Sequence, residues 1–224
     1  MAYTREKALE LHKDYQETVN NWQYFVRSYN GGYDYTIGQY LNRYNLELDN
    51  EFNQRLANTP CDNHCKNIIQ IYSSFLFRVK ASRDFGDMQD EASLESFLKD
   101  ADLEGNSFTT VMKQAQNYAA IYGHCFLILD KPAIQTNTKA EELQQEIRPY
   151  VSMVTPENVL DWNFERQING KYELNYLKIR EEVDKSGGSY MRLWYPDRVD
   201  TIYVEDVGTE PTLIDTATNQ IGKI

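Results

Sequence analysis

A change of periodicity inside residues 105–132, GNSFTTVMKQAQNYAAIYGHCFLILDKP, constrains this chain more than any other feature. Phe108, Val111, Met112, Ala115, Tyr118, Ala119 and Tyr122 recur at three- and four-residue steps, which predicts an amphipathic helix opening at a polar cap. Gly123 supplies the flexible residue that helices use at their ends. Cys125 to Leu129 is then a nearly all-apolar run, too short for a helix, and it reads as a strand. Asp130, Lys131 and Pro132 close it, because proline lacks the N–H that a sheet ladder needs. No catalytic group stands out within this unit.

Upstream, the period is helical. Residues 4–27 place Ala8, Leu11, Tyr15, Val19, Trp22 and Val26 on one face with charges opposite, which predicts a single helix ending near Tyr29-Asn30-Gly31-Gly32. Residues 33–46 hold four tyrosines with Ile37, Leu41 and Leu46 and show no single period. A helix is expected at about 46–57, where Glu51 and Arg55 stand four apart and can pair across one turn. Pro60 interrupts the pattern. Another helix is expected from about 62 to 76, with Cys65, Ile68, Ile69, Tyr72, Phe75 and Leu76 on one side and Asp62 as N-cap. Residues 84–104 carry eight acids answered only by Lys99, and Leu94, Phe97, Leu98 and Ala101 form a narrow apolar stripe that predicts a surface helix. The polar stretch 133–147, with a Glu-rich helix over Lys139 to Glu146, reads as an insertion between two strands.

From Arg148 the period becomes two. Tyr150, Ser152 and Val154 alternate with Val151 and Met153, and Pro156 follows. Asn169-Gly170 predicts a two-residue hairpin turn, since both positions tolerate positive φ. Tyr172 to Arg180 is then a long strand ending at Ser186-Gly187-Gly188, with further strands at Tyr190 to Tyr195 and Thr201 to Val204. The expected fold class is therefore α+β: a mainly helical region over 1–147 with one strand near 125–129, and an antiparallel β meander over 148–224. At 224 residues these can form one large domain or two small ones.

Charge narrows the range of functions. With 34 acidic against 23 basic side chains the formal charge is −11, whereas proteins that grip nucleic acid by its phosphates usually carry a basic surplus. Such a chain repels phosphate on average, which fits either simple solubility or a passage to which DNA must not stick. Aromatic residues reach 13%, with 17 tyrosines, so rings are expected in the core and at interfaces. Three cysteines cannot all pair within one chain, and MAYTREKALELHKDY lacks an apolar targeting core; both favour synthesis in a reducing compartment. No apolar run approaches the ~20 residues a helix needs to cross a bilayer, and no membrane partner is expected.

The candidate chemical groups are few. Cys61-x-x-His64-Cys65, with His124-Cys125 as a second half, offers zinc-type ligands, but the spacing matches no standard knuckle and ordinary packing is favoured. His12, His64 and His124 lie beside no recognised nucleophile setting. Glu141-Glu142 and Glu181-Glu182 are unremarkable in so acidic a chain. Gly31-Gly32 and Gly187-Gly188 lack the following helix of a phosphate loop, and no Gly-x-x-x-x-Gly-Lys-Ser/Thr sequence occurs. No catalytic, cofactor-binding or metal-ligating residue is therefore assigned, and no enzyme activity is expected. Lys66, Arg78, Lys80 and Arg83, with Tyr72, Phe75 and Phe77 nearby, read as the border of a subunit contact rather than a nucleic-acid edge.

Four ordered segments resemble the portal proteins of tailed bacteriophages. The helix-Gly-strand unit at 105–132 is similar to one in that family. RYNLELDNEFNQRLANTP, at 43–60, resembles the early helix in which an acid precedes Arg-Leu by a turn, here Glu51 with Arg55-Leu56. NHCKNIIQIYSSFLFR resembles the next helix and its exit, here Phe77-Arg78. Arg148-Pro149-Tyr150 and Thr155-Pro156-Glu157-Asn158-Val159-Leu160-Asp161-Trp162 resemble the strand and Pro-x-x-φ-x-x-Trp turn that come after. The resemblance covers about 43–162 and brings no catalytic residues. It implies a dodecameric ring at one capsid vertex that contacts the major capsid protein, docks the terminase, receives a tail connector, and passes double-stranded DNA without reading its sequence. It implies a place in the virion after synthesis in the host cytoplasm, with the α+β region as an outer wing. It also implies that 220–224, QIGKI, falls about midway through a longer protein, with tunnel-lining helices and a tail-facing clip beyond. Other virion neck or baseplate components share the tyrosine-rich composition without the ordered segments, and a small metal-binding regulator built on Cys61, His64 and Cys65 is the remaining alternative. Two packing expectations complete the reading. Trp162 and Tyr150 should anchor the sheet against the 107–122 helix, and the acidic face of 84–104, including Asp87, Asp90, Glu91, Glu95, Asp100, Asp102 and Glu104, should face a neighbouring subunit or the DNA path rather than the core.

Overall fold

In the computed structural model the described residues are 3–37, 40–60, 63–89, 91–132, 138–145, 147–183, 187–205 and 210–218. Helices come first and antiparallel sheets follow, an α+β fold. Helices α1 (Arg5–Leu9) and α2 (Lys13–Asn30) replace the single helix expected over 4–27. The chain opens at Glu10–His12 because tertiary partners claim its backbone. The N–H of His12 donates to Leu160 O at 3.0 Å, and the Lys178 ammonium donates to the carbonyls of Lys7, Ala8 and Glu10. The buried face is the expected one: Ala8, Tyr15 and Trp22 are buried, and Leu11, Val19 and Val26 pack against them.

A short helix α3 (Gly32–Ile37) follows, then α4 (Asp49–Asn58) and α5 (His64–Leu76). Within α4, Glu51 does not pair with Arg55. It reaches back to the N–H of Leu48 at 3.1 Å, satisfying a helix-end donor, while Arg55 turns to Glu47. The cap of α5 is Asn63, not Asp62, which lies outside the described residues. One Asn63 side chain joins two helices, its oxygen accepting from Lys66 N at 2.9 Å and its amide donating to Tyr29 O at the end of α2.

Helices α6 (Ala92–Lys99) and α7 (Phe108–Tyr122) lead into strand β1 (Phe126–Asp130). The Ser107 hydroxyl caps α7 by accepting from Thr110 N, and Gly123 ends it at φ 89°, a left-handed conformation that costs glycine little. Helix α8 (Lys139–Gln144) lies between β1 and β2 (Tyr150–Val154), which pair antiparallel from Phe126↔Val154 to Asp130↔Tyr150. The Pro156–Asn158 turn then delivers β3 (Val159–Arg166), so Trp162 lies inside a strand rather than at a turn.

Strands β3, β4 (Tyr172–Val183), β5 (Ser189–Trp194), β6 (Arg198–Val204) and β7 (Thr212–Thr218) form one antiparallel meander in sequence order. The β3–β4 turn is longer than expected. Gly170 N donates to Gln167 O and Gln167 N to Lys171 O, leaving a three-residue loop in which only Gly170 has positive φ, at 82°. Two clusters bury the sheet. One gathers Leu160, Met191, Leu193, Ile202 and Val204 under α1, α2 and the end of α7. The other gathers Val159, Leu177, Ile179, Trp194 and Val199 beneath Phe126, Ile128 and Val154 of the small sheet. No described helix is long and apolar enough to cross a membrane.

Candidate assembly surface

Helix α5 is amphipathic, yet most of its apolar side chains face outward. Its inner line is Ile69, packed on the core, and Ser73, 1% exposed. Ile68, Ile71, Tyr72, Phe75 and Leu76 are all more than half exposed, and Val79 beyond the helix is 75% exposed. The expected single side of Cys65, Ile68, Ile69, Tyr72, Phe75 and Leu76 splits, because Ile69 turns inward onto the core while the others are exposed, and periodicity could not show that this chain leaves that face uncovered. Contiguous apolar surface of this kind marks a contact site in soluble proteins.

Helix α4 is exposed as well. It buries no residue, and Leu46 and Leu48 ahead of it are 96% and 62% exposed. It is held in shape locally: Arg55 grips Glu47 through two 2.7 Å bonds, donates to Asn42 O at 2.7 Å, and lies 4.6 Å from the Tyr44 ring centroid. The Arg55 bond keeps the Glu47 carboxyl below its ordinary range. These bonds hold the 42–55 segment together locally, without a buried core.

The cations predicted to border a contact divide. Lys66 sits 5.8 Å from the Tyr29 ring centroid, and Arg83 bonds Thr109 Oγ1 at 3.2 Å beside the Phe108 ring. Arg78 and Lys80 are exposed at the end of α5. The acids of 84–104 also divide, which corrects the expectation of one outward face. Arg148 pairs with Asp100 at 2.5 Å, Ala101 is fully buried, and Val151 N donates to Ala101 O at 2.8 Å, so this end of the segment is stitched to β2. Asp102 accepts from the backbone of Glu104 and Asn106 and from the Asn106 amide. Burial pushes its carboxyl up, but these bonds outweigh it and hold the carboxyl below its ordinary value. Asp84, Asp87, Glu91, Glu95 and Glu104 remain exposed, with Lys99 2.7 Å from Glu95; Asp90 lies outside the described residues.

The other singled-out residues have structural settings. His12 accepts from Asp14 N and stacks on Trp162 at 4.0 Å, so Trp162 anchors the α1–α2 link to the sheet rather than packing chiefly on α7. Tyr150 donates to Asp130 at 3.1 Å and so ties β2 to β1, not to α7. His64 and Cys65 are exposed, Cys61 lies outside the described residues, and Cys125 donates to Ala115 O. His124 meets Trp22 and Phe126 edge-on. Glu181 pairs with Arg192 at 2.9 Å, and the side chain of Glu182 lies outside the described residues. Lys131 pairs with Glu142 at 2.9 Å. Among the described residues no three His, Cys, Asp or Glu side chains gather to hold a metal ion.

Sequence reasoning missed Lys178. This side chain is fully buried in β4, donates to three carbonyls of the α1 end, and lies 3.9 Å from Asp161. Burial lowers its pKa and raises that of Asp161. The only hint was a lysine in a strand whose neighbours Leu177 and Ile179 are apolar, and an alternating strand can equally turn such a residue to solvent. No protein-family model matches the chain, and neither does any curated protein.

Proposed function

We propose that this chain is a structural subunit of a tailed-phage portal ring, or the N-terminal part of one, and that it has no catalytic role. The observation that carries the reading is the uncovered apolar face of α5, followed directly in the chain by the exposed cations Arg78 and Lys80. The resemblance of the ordered segments at 43–162 supports the choice of family, and the exposed face supplies a surface with which to assemble. A closed ring needs a heterologous joint, in which two different patches of each subunit meet. The α5 face with its cations and the acids Asp84, Asp87, Glu91 and Glu95 form such a complementary pair. In this reading the ring sits at one capsid vertex, contacts the major capsid protein, docks the terminase and the tail connector, and passes double-stranded DNA without sequence recognition. Energy for DNA movement comes from another protein.

The test is the mass and shape of the assembled protein. Particles with a central hole, seen by electron microscopy, are expected, and raising salt should weaken them without abolishing them, because it screens the charge pairing and leaves the apolar contact. The variant Ile71→Asp with Phe75→Asp should keep the circular dichroism spectrum and abolish the particles. Wild-type protein that stays monomeric at every concentration and salt tested, or turnover of ATP abolished by one point substitution, would sink the reading.

A further inference from the structure

A cleft of about 430 Å³ opens where α2 crosses the α7–β1 joint and the start of β3. Its volume falls within the range of small-molecule sites. The inner wall is aromatic, with Trp22, Tyr122, His124 and Phe126 contributing rings, and His124 stands edge-on to Trp22 at 5.7 Å and to Phe126 at 5.4 Å. Trp162 adds an indole, braced by the His12 ring stacked on it. The outer wall is one stripe of α2 that includes Asp14, the only acid lining the cleft among the described residues, with its side chain 72% exposed. No described lysine or arginine lines it.

Ring faces carry negative charge density, and a carboxylate at the mouth adds a full negative charge. Together they favour a cation whose surface is otherwise apolar. We propose that this cleft is a binding site for an alkylammonium group, either a small quaternary ammonium compound or the lysine side chain of another protein. The rings take the apolar methyl or methylene surface, and Asp14 faces the charge. Its lining shares no residue with the exposed α5 face.

The sequence holds three tryptophans, of which Trp22 and Trp162 line the cleft and Trp194 does not, so their indole N–H signals in the ¹⁵N-labelled chain form an internal comparison. Choline is expected to shift the first two signals saturably and leave the third in place. Its neutral isostere 3,3-dimethylbutan-1-ol should bind about fivefold more weakly, the scale of an exposed cation–π contact. Asp14→Asn should weaken choline and leave the alcohol unchanged. Nα-acetyl-lysine amide run in parallel distinguishes the sources: tighter binding than choline assigns a partner's lysine, and weaker binding assigns a free quaternary ligand. Equal affinity for choline and the alcohol, or identical shifts of all three indoles with sodium chloride at the same ionic strength, would overturn the proposal.

Discussion

The five-stranded sheet and the α4–α5 segment use similar residues to opposite ends. Met191, Leu193, Ile202 and Val204 of β5 and β6 are all at most 5% exposed, whereas Ile68, Ile71, Phe75 and Leu76 of α5 are all above 50%. The sheet is closed over by α1 and α2 on one side and by the β1–β2 ribbon on the other. Helix α5 keeps only Ile69 and Ser73 inward. Hydrophobic patterning thus records that a face is meant to be covered, without recording by which chain. Stability should reside in the first region and association in the second.

The sharpest way to break this contrast is at Lys178. Lys178→Met leaves three helix-end carbonyls without their donor and removes the neighbour of the partly exposed Asp161; at about 1–3 kcal/mol for each buried group left unsatisfied, a loss above about 3 kcal/mol is expected. Urea unfolding should show that loss, and a change below about 1 kcal/mol would mean that the α1 end is not part of the sheet's cooperative unit. Trp162→Ala comes next. Because the indole is only half buried but stacked on His12, a loss near the lower end of the range for buried tryptophan, about 3 kcal/mol, is expected in the same assay. An unmoved midpoint would show that the α1–α2 link is held by backbone bonds alone.

Asp200 offers a smaller effect with a defined sign. Burial pushes its carboxyl up, but hydrogen bonds, led by the one from Tyr3 and including Arg198 at 3.0 Å, bring its pKa below the ordinary 3.8. A depressed folded-state value contributes stability that is fully present above the unfolded value and lost as pH falls through the folded one. Stability should therefore decline below about pH 4, and Asp200→Asn should flatten that part of the profile. An identical acid limb in the variant would exclude this carboxyl as its source. The smallest effect belongs to the other region: Ile71→Asp with Phe75→Asp should move monomer stability by no more than about 0.5 kcal/mol, as for ordinary surface substitutions. A larger loss would mean that α5 belongs to the core after all.

Much of the fold was legible because burial and period agree there. The 108–122 helix, its Ser107 opening and its Gly123 stop follow from local chemistry, as do β1, β2 and the meander of alternating strands. What escaped was set by distant partners. The break at Glu10–His12 depends on Leu160 and Lys178, which no local pattern announces. The Glu51–Arg55 pair satisfied helical spacing, but Glu47 offered Arg55 a two-bond grip and left Glu51 free to cap. Strand β7 shows no alternation, since its apolar Leu213 and Ile214 are adjacent and both exposed; it is held by pairing with β6. The candidate surface was half legible: periodicity gave the α5 face, and only the packing showed it uncovered. The aromatic cleft draws on α2, α7, β1 and β3, elements too far apart in sequence for any motif to join them.

The grip of Lys178 on residues 7–10 also sets an order of events. Donor and acceptors stand 168 to 171 positions apart, so the carbonyls at the end of α1 find their partner only once β4 is present. A five-residue helix is far too short to persist alone in water, since nucleation outweighs the few bonds it gains. Contacts that close so long a loop form slowly and late. The docking of this short helix therefore depends on a strand that lies far along the chain.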